Sequence, residues 1–243
     1  MLKCLLFDLD DTLLINDMDT FAPHYFKAIS AHFKRVCSPE LFMKALSQGT
    51  MAMWENSGSQ GTNAEVFKKV FFNRIKHEPE ELMSIFDEFY RTSFKALHIY
   101  TKRDPAARRV VEWACAHNLK MVIATQPVFP PEAIQARLRW AGVGAEEFPY
   151  ALITSYDLMR ATKPHPLYFQ DILDRLSFKA EECCMVGDSL DADMPAGKLG
   201  FKTFWVQRKL ASLSKNVTVD GQGDLTDLLA WLEAGGNDGC NHE

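Results

Sequence analysis

Residues 2–13 read LKCLLFDLDDTL, and this stretch decides the fold. A short apolar run through Leu5, Leu6 and Phe7 stops at Asp8, as a parallel strand buried on both faces does. Further segments of this kind follow: KMVIAT at 120–125, residues 150–155, CCMVGD at 183–188 and KTFWV at 202–206. Helical patterns separate them. One starts at Asp104-Pro105, buries Ala107, Val110, Val111 and Ala114, and stops near Asn118. Others cover 131–140, closed by Gly142, then 166–176, about 193–199, and 225–232. Strands alternating with helices predict an α/β fold, a Rossmann-like, mostly parallel sheet with helices on both faces.

The alternation breaks directly after the first strand. Phe21, Tyr25, Ile29 and Phe33 step by four. Val66, Phe67, Val70, Phe71 and Ile75 form a second stripe, and Leu82, Phe86, Phe89, Tyr90, Phe94 and Leu97 a third behind Pro79. Residues 47–64 hold three glycines and little periodicity, so they read as a loop within a helical module. The expected organisation is a core of residues 1–15 and 97–243 with an all-helical cap at 16–96. The Phe-rich stripes read as packing. The polar tail at 235–243, GGNDGCNHE, reads as a fraying end.

Composition narrows the function classes. The chain has 243 residues, 47% hydrophobic and 24% charged, which is ordinary globular usage. With 32 Asp and Glu against 27 Lys and Arg, the net charge of −5 disfavours a nucleic-acid or membrane-surface partner. No stretch approaches the roughly 18 apolar residues of a spanning helix. The opening apolar run is too short and too acidic for a secretory signal. The six cysteines form no CxxC pair, and Cys183 and Cys184, adjacent on a strand, point to opposite faces. They read as buried small hydrophobes in a reducing compartment, which makes the cytoplasm the expected location.

The strand ends carry the chemistry. The first ends in Asp8-Leu9-Asp10-Asp11-Thr12, the second in Thr125-Gln126, and a later one in Gly187-Asp188-Ser189, with Asp191 and Asp193 close behind. Ligands of open parallel sheets bind at these carboxyl ends. Up to six carboxylates in one crevice cannot all stay ionised without a counter-charge. A hard divalent cation, Mg²⁺, suits carboxylates and phosphate together, and Lys163 in ATKPHP offers a further positive charge.

In this order, these motifs resemble the haloacid dehalogenase (HAD) superfamily, in the phosphatase-like branch with a helical cap after the first motif. FDLDDTL, Thr125, Lys163 in KPHPLYF, and VGDSLDADMPAGKLG match its four motifs in turn. Gln126 departs from the frequent Asn. The resemblance implies a Mg²⁺-dependent phosphatase acting on a small phosphorylated metabolite, as a monomer or homodimer. Asp8 would be the nucleophile and form an aspartyl-phosphate, and Asp10 the acid and base. Thr125, Gln126 and Lys163 would hold the phosphoryl group, with Lys163 also stabilising Asp8. Asp8, the Asp10 backbone carbonyl and Asp188 would hold the metal, and Asp193 would act on it through water or from behind.

Competing readings bound these expectations. A dehalogenase or a phosphonate hydrolase usually lacks an acid at the position of Asp10. A phosphomutase keeps it and is the nearest rival. A non-catalytic phosphate-binding or interaction module on the same scaffold should have lost Asp8, Asp10, Lys163 or Asp188. Asp11 reads as a turn or cap residue and Asp191 as structural. His165 reads as packing or surface, while His24 and Trp54 stand as cap candidates.

Overall fold

The computed structural model describes residues 1–208 and 217–236. Six parallel strands form the sheet. They are β1 (Cys4–Phe7), β4 (Lys120–Ile123), β5 (Leu152–Ile153), β6 (Cys183–Gly187), β7 (Lys202–Val206) and β8 (Gly221–Gly223), in the spatial order β5-β4-β1-β6-β7-β8. β1 is central, with Leu6 registered between Val122 and Met185. Side-chain alternation divides its contacts between two layers. Leu5 and Phe7 pack with α5 (Pro105–Ala116), α6 (Pro131–Ala141) and α8 (Leu225–Glu233), whereas Cys4 and Leu6 face α7 (Pro166–Leu176). Cys184 belongs to the first layer and Cys183 to the second, as the alternation predicts. Because all six strands run the same way, their C-terminal ends share one edge, which puts Asp8, Thr125 and Asp188 together.

The cap comprises α1 (Met18–Phe33), α2 (Pro39–Trp54), α3 (Asn63–Arg74), α4 (Pro79–Arg91) and a 3₁₀ segment, Ser93–Tyr100. Local sequence sets these helix starts. Asp17 and Ser38 accept backbone N–H bonds at the first two, Thr62 and Glu65 form a reciprocal capping box at the third, and Pro79 opens the fourth. Rings fill the interior: Phe33 stacks on Phe42 at 4.5 Å, and Phe71 meets Phe86 at 5.2 Å. A two-stranded antiparallel ribbon, β2 (Leu14–Ile15) with β3 (Lys102–Arg103), lies where the chain passes between cap and core.

The structure corrects several expected boundaries. Residues 47–54 continue α2 instead of starting a loop. Gly49 explains the missing apolar signal, because this stretch packs by backbone approach: a Cβ there would lie 2.6 Å from the Phe67 ring. The loop is confined to 55–62, where Gly58 and Gly61 take positive φ of +92° and +94° and Asn56 donates to Asn63 at 2.9 Å. The segment near 193–199 is 3₁₀ at Met194–Leu199, and the 150–155 strand shortens to Leu152–Ile153. The short strand β8 carries two glycines and no apolar run, so periodicity does not mark it. Cys240 and the tail residues 237–243 lie outside the described residues. Among the described residues no helix is long and apolar enough to cross a membrane.

Candidate active site

The shared strand edge opens into a crevice of about 280 Å³. It is lined by Asp8, Asp10, Thr125, Gln126, Lys163, Asp188 and Asp193, so the residues to which the family resemblance gives catalytic, phosphate-binding or metal-holding parts meet in one place. β1 delivers Asp8, whose N–H donates to the Val186 carbonyl at 2.9 Å and continues the parallel ladder one residue past the strand. The Lys163 ammonium lies 2.6 Å from Asp8 Oδ1 and 2.6 Å from Asp193 Oδ1, and all three side chains are buried. Asp193 is turned towards the strand end because its Oδ2 accepts the Ser189 N–H at 3.0 Å. Gly187 leaves room for this turn: a Cβ there would fall 2.2 Å from Asp193 Oδ2.

Gln126 holds Lys163 in register. Its Oε1 accepts the Lys163 N–H at 2.9 Å, and its Nε2 donates to the Lys163 carbonyl at 3.0 Å. The expected phosphate contact is therefore joined by a positioning part that a longer amide than Asn can fill. Thr125 is buried, and its carbonyl accepts hydroxyl bonds from Thr154 at 3.0 Å and Tyr168 at 2.9 Å. Neither partner stood out in the sequence, since each sits amid ordinary strand or helix residues.

Charge is unbalanced in this crevice. Burial pushes the Asp8 carboxyl up to about 7; Lys163 opposes the shift while Asp193 and Asp10 add to it. Asp188 rises to about 8, through burial and then the repulsion of Asp8 and Asp193. Burial alone would lower the Lys163 ammonium, but Asp193 and Asp8 outweigh it and hold the group above the usual lysine range. Asp8, Asp188 and Asp193 each offer a carboxylate oxygen within 4.8 Å of the others. Three carboxylates against one ammonium leave two formal negative charges, which a divalent cation would neutralise, and an all-oxygen donor set suits a hard one.

The Asp10 side chain stands apart from that carboxylate cluster. Its Oδ1 accepts from Asn16 Nδ2 at 2.7 Å, and its Oδ2 is ion-paired with the Arg137 guanidinium. Arg137 is 1% exposed, and its guanidinium lies 4.4 Å over the Phe129 ring. The sequence carried a signal for it: Arg137 is in step with Ala133, Ile134 and Ala141 on the buried face of α6. Asp11 takes φ +51° and accepts the Asn16 N–H at 3.0 Å, the turn role expected of it. His165 caps α7 by accepting the Leu167 N–H at 3.1 Å. Asp191 is exposed, and His24 stacks on Tyr100 at 3.7 Å, outside the crevice lining. Trp54 does line the crevice.

Comparison with known proteins agrees with this fold. No curated protein sequence matches the chain. Among solved structures, the fold is similar to 2-haloacid dehalogenase from Pseudomonas syringae pv. Tomato DC3000, at TM-score 0.67 and 20% identity, covering 96% of this chain and 99% of that one. It is also similar to a HAD phosphatase from Thermococcus onnurineus, at TM-score 0.59 and 20% identity over 98% and 99% of the two chains. A third similar structure is the HAD-hydrolase YfnB from Bacillus subtilis, bound to magnesium, at TM-score 0.56 and 21% identity over 95% and 98%. Identities this low show a shared fold. A family model described as haloacid dehalogenase-like hydrolase matches residues 2–200, and the chain accordingly belongs to the haloacid dehalogenase-like hydrolase family.

Proposed function

We propose that this hydrolase is a Mg²⁺-dependent phosphatase that cleaves a small phosphomonoester through an aspartyl-phosphate on Asp8. The observation that carries the reading is the buried Lys163 bridge between Asp8 and Asp193, beside Asp188 and with a further carboxylate, Asp10, in the same crevice. A nucleophilic carboxylate must be ionised, and Lys163 favours that state in a site where burial opposes it. Asp8, Asp188 and Asp193 would hold the cation. Bound there, it would supply positive charge to the phosphoryl oxygens.

The chain's own groups do the rest. One Asp8 oxygen attacks phosphorus while the P–O bond to the alcohol breaks, and the leaving oxygen takes a proton from Asp10. Asp10 then removes a proton from the water that attacks phosphorus, releasing phosphate and regenerating Asp8. For this, one Asp10 oxygen must exchange its Arg137 or Asn16 contact for the reacting group, because both oxygens are engaged by these partners. Lys163 and Thr125 steady the phosphoryl charge, and Gln126 keeps the lysine in place.

The test compares release of inorganic phosphate from phenyl phosphate with release of halide from 2-chloropropionate, each with Mg²⁺ and with EDTA. Phosphate release that requires the cation is the expected result. Halide release without a cation, and no phosphate, would replace the reading with dehalogenation. Phosphate transferred to a second sugar in place of water would replace it with a mutase.

A further inference from the structure

We infer that the alcohol part of the substrate is apolar, an aryl or branched alkyl group rather than a sugar; this deepens the phosphatase reading and rests on it. Beside the carboxylate crevice lies a second cavity of about 220 Å³, enclosed by the four cap helices on one side and residues 128–130 and Tyr156 of the core on the other. Met18, Trp54, Val128 and Phe129 line both spaces, so a phosphoryl group at Asp8 would present its ester oxygen towards an apolar chamber.

Three observations give that chamber its chemistry. Its walls include Phe67, Phe86 and Leu46, and none of its lining side chains is charged. Two of its hydroxyls, those of the buried Tyr25 and Tyr90, are bonded to each other at 2.9 Å, which leaves Thr50 and Tyr156 as the other hydroxyls of the lining. A sugar placed there would leave most of its hydroxyls unpaired, and a site without partners for buried polar groups discriminates strongly against them. Third, Met18, Phe26 and Trp54 are among the exposed large hydrophobic side chains, and all three line this cavity. Apolar side chains gathered at one opening mark a surface that meets an apolar ligand. The volume sets the scale: a cavity of roughly 150 Å³ accepts benzene, so this one suits a single ring with substituents or a short branched chain.

The experiment measures kcat/KM of the full chain with Mg²⁺ on methyl phosphate, phenyl phosphate, isoamyl phosphate and glucose 6-phosphate. The phenyl and isoamyl esters should exceed both others by at least about tenfold, mainly through KM, and phenol should inhibit competitively. Met83→Trp, which adds a ring to the cavity wall, should lower the phenyl-to-methyl ratio at least about tenfold in protein whose circular dichroism is unchanged. Glucose 6-phosphate turned over as well as the phenyl ester would overturn the inference and leave the phosphatase reading standing. No phosphate release from any ester would remove both.

Discussion

The sheet and the cap bury apolar surface in different ways. Around β1 the core is largely aliphatic, and its strands hold one another through a backbone ladder whose register admits no slip without turning every side chain to the wrong face. In the cap, rings meet rings: Phe33, Phe42, Phe67, Phe71 and Phe86 form one interlocked group. Backbone hydrogen bonds therefore set where Asp8, Thr125 and Asp188 stand, whereas side-chain volume sets the shape of the chamber beside them. On the proposed reading, chemistry and selectivity are held by different forces in the two halves.

The sharpest way to break that division is Asp8→Asn. The substitution is nearly isosteric and removes the proposed nucleophile, so phosphate release should fall by about 10³-fold or more with an unchanged circular dichroism spectrum. Substantial residual turnover would take the chemistry out of the core.

A second test addresses charge. The raised values of Asp8 and Asp188 mean that the metal-free native state holds protons that the unfolded chain has released. Between the ordinary carboxylate range, near pH 4, and about pH 7–8, these groups make stability fall as pH rises, by about 1.4 kcal/mol per pH unit for each held proton. Urea midpoints in EDTA should accordingly drop from pH 5 to pH 8, and Mg²⁺ should restore more stability at pH 8 than at pH 5. An equal Mg²⁺ effect at both values would dissociate the cation from this cluster.

The smallest expected effect lies in the cap. Gly49→Ala puts a methyl group 2.6 Å from a Phe67 ring that Phe71 and Phe86 hold in place, and should cost about 1–2 kcal/mol despite the better helix propensity of Ala. Thermal unfolding reads the loss. The pH response of the core should persist in the variant, and its disappearance would show that the two halves are not independent.

The same division explains what the sequence disclosed. β1 and β6 were legible because a buried strand ending in Asp leaves a local trace, and parallel topology then brings the distant ends together. The extension of α2 through 47–54 was hidden, since a glycine that permits close approach leaves no apolar mark. The part of Arg137 was obscured for another reason: charge on a helix suggests solvent, and only its phase with Ile134 and Ala141 reveals that it points inward. Thr154 and Tyr168 act through hydroxyl bonds to the Thr125 carbonyl, a contact with no sequence pattern of its own.

The Gln126 bridge has a consequence for how the protein becomes competent. It ties the chain after β4 to the backbone of Lys163, while Lys163 joins residues contributed after β1 and β6. Four remote stretches must dock before the full carboxylate and ammonium constellation exists, so a partly folded chain would offer a cation little to grip. Ion capture there would reward only the finished sheet, and a bound cation would act as a late seal on the folded architecture.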